Sequence, residues 1–251
     1  MTHEPQHSFQ QEEDYVLLIA NAPRIESYHD MWGKLYTTPY KARGHEHIKE
    51  LAAAASYIIA VDGGANIAHR YGLTVDHLIG DNDSIMSSVL KEYQNSNVNI
   101  VYADRDKNKT DLELALEFVD SQEELRSKPL RITNVLGGRA DHELANLGTI
   151  ARFGYLQPRI YENEMRVIFL DSENPELVIR LQQSEIDPPF SVIALLGEAV
   201  VSQTGTKWEQ DHVRLRPLDA LGVSNHVDRG KGNEAHVIVH EGSVAVFHNT
   251  F

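Results

Sequence analysis

The chain has 251 residues, 41% hydrophobic and 24% charged, with a formal net charge of −14 and no cysteine. That length accommodates two domains with buried cores. The acidic balance argues against nonspecific nucleic-acid binding, which needs a basic face; the missing cysteines exclude disulfide scaffolds, thiolate chemistry and Cys-based zinc sites.

The opening residues, MTHEPQHSFQQEED, lack a basic n-region and an apolar core, so no signal peptide is expected and residues 1–14 are expected to be disordered. No apolar run approaches the roughly 20 residues of a membrane span, which makes a cytoplasmic enzyme the default expectation. From there to about Glu162, short apolar runs alternate with helical segments. Tyr15–Ala20, Tyr57–Val61, His77–Ile79, Asn99–Tyr102 and Arg131–Leu136 read as strands; His45–Ala55, Ala65–Tyr71, Ser87–Tyr93, Leu112–Val119 and His142–Phe153 read as helices. The alternation predicts a mostly parallel, doubly wound sheet, and the continuously apolar strands predict cover on both faces. Pro23–Gly44, holding Trp32 and three tyrosines, is long for a connection inside an α/β unit and reads as a surface excursion or a lid. Past about Glu164 the helical period fades. Arg166–Leu170, Leu177–Leu181, Val192–Leu196, Val200–Gln203, Ala235–His240 and Ser243–His248 are strand candidates separated by Gly, Pro, Asn and Asp, which predicts a small antiparallel sandwich or barrel. The expected organisation is an α/β catalytic domain over residues 15–163 and an all-β domain over residues 164–251.

Four turns at strand ends carry the chemistry. In VDGGAN a strand runs into Asp62, Gly63 and Gly64 and then Asn66. The paired glycines allow a backbone to approach a phosphate and the helix start offers free N–H groups, although Asp-Gly-Gly is also a common tight turn. In IGDNDS, Asp81 and Asp83 stand one residue apart in a loop, and two such carboxylates can hold one hard cation or simply be solvated, with Ser84 as a candidate helix cap. In DRDKNKTDLELAL, Thr110 or Asp111 can cap a helix, while Lys107 and Lys109 among the acids give the mixture of ammonium groups and carboxylates that a metal triphosphate needs. In VLGGRADHELAN, Gly137 and Gly138 lead to Arg139, a candidate bidentate phosphate ligand, and then to Asp141 and His142. In open α/β sheets ligands bind outside the carboxyl ends of the strands, so Asp62, Asp81, Asp83, Asp111 and Asp141 are aimed at one crevice. Converging carboxylates repel without a cation, which favours a metal-nucleotide site. Neither GxxxxGK[ST] nor a GxGxxG after a strand occurs, and the Gly230–Lys231 pair is followed by glycine in the all-β half.

These residues resemble the thiamine pyrophosphokinase family, which carries DGGAN, GD-x-DS, D-x-T-D and GGR-x-DH in this order; here they stand at Asp62–Asn66, Gly80–Ser84, Asn108–Asp111 and Gly137–His142. Gly205–Trp208 (GTKW) and Gly222–Asn225 (GVSN) look like marks of the family's second domain. The resemblance implies a three-layer catalytic domain, a β-sandwich, and a homodimer with sites between subunits. It implies transfer of the terminal diphosphate of ATP to the thiamine hydroxyl with Mg²⁺. It assigns Asp62, Asp81, Asp83 and Asp111 to metal and phosphates, with Asp141 beside them. Gly63, Gly64, Asn66, Lys109, Thr110, Gly138 and Arg139 go to ATP, Trp208 to stacking on thiamine, and Ser224 and Asn225 to the same pocket. Asn108 stands where the family often has Asp, and Asp106 is the candidate replacement ligand. Two other readings stay open: a diphosphokinase acting on another alcohol such as a pterin carbinol, and a non-catalytic nucleotide or thiamine diphosphate binding regulator.

Overall fold

The computed structural model describes residues 14–22, 27–29, 35–37, 46–103, 108–137, 139–162, 165–181 and 188–249. They fall into two compact units that divide between residues 163 and 164. Most of the 1–14 stretch expected to be disordered lies outside the described residues; its last residue, Asp14, pairs with Lys128.

The first unit is built on parallel strands β1 (Tyr15–Ile19), β4 (Ala55–Val61), β5 (His77–Gly80), β6 (Asn99–Tyr102), β7 (Leu130–Thr133) and β8 (Pro158–Glu162). Their order is β8-β7-β1-β4-β5-β6, every pairing parallel. Helices α1 (Glu46–Ala54), α2 (Gly64–Arg70), α3 (Ser87–Gln94), α4 (Asp111–Ser121), the short α5 (Glu123–Arg126) and α6 (Ala140–Arg152) complete it. Within β1, Tyr15, Leu17 and Ile19 join Ile48 of α1, Ala65 and Ala68 of α2 and Val89 and Tyr93 of α3 in one core. Val16 and Leu18 alternate with them and are equally buried, and α4 packs along β4 and β5 and against α6. Burial on both faces is why β1 is apolar throughout, whereas the edge strand β6 is largely exposed, contrary to the cover expected on both its faces. Part of the Pro23–Gly44 excursion forms a hairpin, β2 (Ser27–His29) with β3 (Leu35–Thr37); the rest of it lies outside the described residues.

The chain order β1, β4, β5, β6 runs outward in one direction, and β7 returns to the other side of β1. The switch lies at the carboxyl ends of β1 and β7, and neighbouring strands deliver the motif turns to the same edge. Predicted strand and helix positions agree with the observed ones to within a few residues, except that Arg131–Leu136 stops as a strand at Thr133.

The second unit is a sandwich. One sheet has the order β11 (Phe190–Ile193), β15 (Ser243–Asn249), β9 (Met165–Asp171); the other has β10 (Glu176–Arg180), β14 (Glu234–Glu241), β12 (Ala199–Thr204), β13 (Gln210–Leu215). All these pairings are antiparallel. Ile168, Phe190, Val192, Val244 and Val246 meet Leu177, Ile179, Val201, Val237 and Val239 in a single core, the alternating pattern that two packed sheets require. No helix among the described residues is long and apolar enough to cross a membrane.

Candidate active site

Three of the predicted carboxylates converge. Asp62 follows β4, Asp81 follows β5, Asp111 opens α4, and their carboxylate oxygens lie within 4.8 Å of one another. The local sequence explains the approach. Asp62 adopts a left-handed conformation, φ +44°, while its N–H donates to the Ile79 carbonyl at 2.9 Å, so the β4–β5 ladder continues into the turn. Gly80, φ +155°, ends β5 directly beneath the carboxylates; a Cβ there would lie 2.9 Å from the Asp62 Cβ and 3.3 Å from the Asp111 Cγ. Thr110 caps α4, its hydroxyl accepting from the Glu113 N–H at 3.2 Å, which fixes Asp111 in the first turn.

Burial raises the pKa of Asp62, and the neighbouring Asp111 charge adds to the rise, against hydrogen bonds from Ser84 and the Gly63 N–H that oppose it. One Asp62 oxygen is buried without a partner. An all-oxygen trio with an unsatisfied carboxylate suits a hard divalent cation. A carboxyl whose folded pKa is raised binds its proton more tightly folded than unfolded. Its contribution to stability is therefore present below the unfolded value of 3.8 and is lost as pH rises through the higher folded value. In chelator, the melting temperature of the wild type relative to that of Asp62→Asn should fall as pH is raised from 3.8 upward through that window. A wild-type-minus-variant difference that does not change with pH would remove the raised Asp62 pKa.

The other predicted residues take varied places. Asp83 is exposed; it receives the Ser84 hydroxyl at 3.0 Å, and its N–H donates to Asp81 Oδ1 at 3.0 Å, so it orients Asp81 while its own carboxylate lies outside the trio. Asn66 clamps the same loop, donating to the Ser84 carbonyl at 2.8 Å and accepting from the Met86 N–H at 2.9 Å. Gly63 and Gly64 are buried by packing: a Cβ on Gly64 would sit 1.9 Å from the Ile19 carbonyl oxygen, and one on Gly63 2.1 Å from the Asn21 amide. Lys109 pairs with Glu117 at 2.5 Å, and that bond raises its pKa. Arg139 forks onto Asp141 at 3.1 and 2.6 Å, drawing the Asp141 pKa down to about 2, with both side chains exposed at the start of α6. Asp106 and Gly138 lie outside the described residues.

Two residues that the motif reading passes over are Asn82 and Asn134. Both follow strands, both are left-handed (φ +64° and +59°), and both amides are buried without partners. Asparagine within two residues of the end of an apolar strand is the sequence signal, since it tolerates that conformation better than most side chains.

In the sandwich, Trp208 is 53% exposed, which rules out a Trp wedged between the sheets. Asn225 is buried and acts as a bracket. Its Oδ1 accepts the N–H of Trp208 at 3.2 Å and of His226 at 2.9 Å; its Nδ2 donates to the Trp208 carbonyl at 2.9 Å and to Gln203 Oε1 at 3.0 Å. Ser224, exposed and left-handed at φ +60°, donates its N–H to the Ser191 hydroxyl at 3.1 Å.

Residues 48–162, the stretch that carries the trio, match the family model described as the thiamin pyrophosphokinase catalytic domain. The first unit is thus similar to the catalytic domain of that family. Thiamine pyrophosphokinase 1 of rice is 26% identical over 158 residues, spanning 61% of this chain and 59% of the rice protein. Thiamine pyrophosphokinase 1 of Arabidopsis thaliana is 25% identical over 194 residues, spanning 69% of this chain and 72% of that protein. A thiamin pyrophosphokinase family protein of Enterococcus faecalis matches in fold at TM-score 0.69 and 18% identity, over 94% of this chain and 99% of that one. Yeast thiamin pyrophosphokinase matches at TM-score 0.69 and 15% identity, over 97% and 88%. The likeness in fold to these two structures thus extends across both units.

Proposed function

We propose that this chain is a thiamine pyrophosphokinase, transferring the terminal diphosphate of ATP to the hydroxyl of thiamine and releasing AMP, with Mg²⁺, as a cytoplasmic homodimer whose sites use both subunits. The observation that carries this reading is the Asp62–Asp81–Asp111 trio at the carboxyl edge of a parallel sheet, within a stretch that matches the family's catalytic-domain model. Asp62, Asp81 and Asp111 would hold the cation, with Asp83 next to them in sequence as a further candidate and Asp106 as the candidate replacement ligand for Asn108. When bound, Mg²⁺ neutralises charge on the phosphate oxygens. The protein's part is alignment of the alcohol with the β-phosphorus, which this class of reaction needs more than strong base chemistry. Arg139 and Lys109 exchange their exposed carboxylate partners for phosphate oxygens, a cheap exchange because exposed ion pairs are weak. Gly63, Gly64, Gly138 and Thr110 shape the backbone around the nucleotide; Asn66 holds the Asp81 loop to α2; Asp141 stands next to the phosphates. Trp208 stacks on thiamine, Ser224 lines the pocket, and Asn225 holds the turn that presents the indole.

Mixing the protein with ATP, Mg²⁺ and thiamine should release AMP in equal amount to thiamine diphosphate, and a pterin carbinol in place of thiamine should release none. Absence of AMP with either alcohol would leave a binding protein, and light scattering at the mass of one chain would remove the dimer. Trp208→Ala should raise the KM for thiamine by roughly 10- to 100-fold with little change in melting temperature, because the ring is half exposed. A loss of roughly 3–5 kcal/mol of stability, as for a core tryptophan, would contradict this role.

A further inference from the structure

The Trp208 ring already carries a cation. The Lys207 ammonium stands 4.5 Å from its centroid, within the range where the negative face of an indole attracts a positive charge. The geometry is set by the backbone. The Lys207 N–H is bound to the His226 carbonyl at 2.9 Å and the Trp208 N–H to Asn225 Oδ1, so both residues leave one fixed turn. The neighbouring Lys231 behaves differently: it is held by Glu209 at 3.2 Å, by Asp228 at 3.6 Å and by the Thr206 carbonyl at 3.0 Å. His226 approaches Trp208 in a tilted arrangement, 6.1 Å between centroids at 58°.

We infer that Lys207 is an internal competitor for the Trp208 face, a specificity-determining residue that weakens binding of cationic aromatic substrates and sets the affinity for thiamine. The inference rests on the proposed stacking of thiamine on Trp208. Thiamine brings its own positive charge, on the thiazolium ring. A second cation near one indole is disfavoured whether it takes the occupied face, displacing the ammonium, or the opposite face, where it meets a π system already polarised by Lys207. A neutral ring of the same shape meets no such penalty.

The test is calorimetric binding without ATP, comparing thiamine with its neutral analogue in which a thiophene replaces the thiazolium. Lys207→Met keeps the aliphatic length and removes the charge. It should tighten thiamine roughly two- to fivefold, the range of an exposed cation–π contact, and leave the neutral analogue unchanged. The gain should persist at 0.3 M salt, roughly, where a general field effect on this acidic protein would be screened. In the unliganded protein the Lys207 ε-methylene protons should resonate upfield through the indole ring current and return toward the free-lysine position as thiamine is added. Unchanged or weaker thiamine binding in Lys207→Met, equal tightening of both ligands, loss of the gain in salt, or an unshifted ε-methylene would each overturn the inference. Trp208→Ala with undiminished thiamine affinity would instead overturn the stacking reading on which it stands.

Discussion

Asp81→Asn and Asp111→Asn should each lower kcat/KM by roughly two to three orders of magnitude, the several kcal/mol that a metal ion supplies in charge neutralisation. The same substitutions should stabilise the metal-free protein. Three carboxylates within 4.8 Å repel when no cation is bound, and replacing one by an amide relieves that repulsion. Relief of about 1 kcal/mol would raise the melting temperature in chelator by roughly 2–4 °C for a chain of this size. Opposite movements of activity and stability are the signature of a site that keeps strain for function. Asp83→Asn should be milder, at roughly tenfold, because its carboxylate lies outside the trio and only its N–H engages Asp81. Wild-type turnover in excess chelator, or a lower melting temperature for both amide variants, would dismiss the trio as a metal site.

Gly80→Ala should cost as much activity without removing any functional group. The added Cβ would sit 2.9 Å from the Asp62 Cβ, 3.1 Å from its Cα and 3.3 Å from the Asp111 Cγ, on a backbone with φ +155° that an L side chain rarely adopts. Asp62 and Asp111 must then move apart, and displacement of reacting geometry by about 1 Å costs roughly 100-fold. Stability should fall by more than about 1 kcal/mol, as for alanine where φ is positive. Gly72→Ala is the control: it also carries a positive φ, +63°, but nothing lies within 4 Å of its added Cβ. It should lower the melting temperature and leave turnover alone. Equal losses of activity in both variants would mean that backbone strain, and not the crowding of Asp62 and Asp111, governs Gly80.

Much of this arrangement was legible because its causes are local. The buried strands are continuous apolar runs, and α4 starts where Thr110 and neighbouring acids favour it. Two of the strands that escaped notice have physical excuses. β13, QDHVRL, is a polar edge strand of its sheet, and β8 begins with a proline and follows the short helical turn Gly154–Leu156 directly. At the site, the Asp62, Asp81 and Asp111 turns could be placed on one edge from alternation alone. The outward position of Asp83 could not, because it depends on the left-handed conformation of Asn82 between the two aspartates. Nor could the role of Asn225, whose four partners come from Gln203, Trp208 and His226 and meet only once the chain is folded.

The Asn225 bracket bears on timing. A large aromatic side chain on an exposed turn would ordinarily sample many orientations and lose that freedom when a ligand docks. Here the main chain on both sides of the indole is tied to one buried amide, and Gln203 is in turn tied to Gln210 at 2.7 Å. The ordering of the turn is completed during folding, before any ligand arrives. Binding of thiamine at the proposed Trp208 surface should accordingly be a single-step association, its rate rising linearly with ligand concentration and showing no plateau from a slow rearrangement.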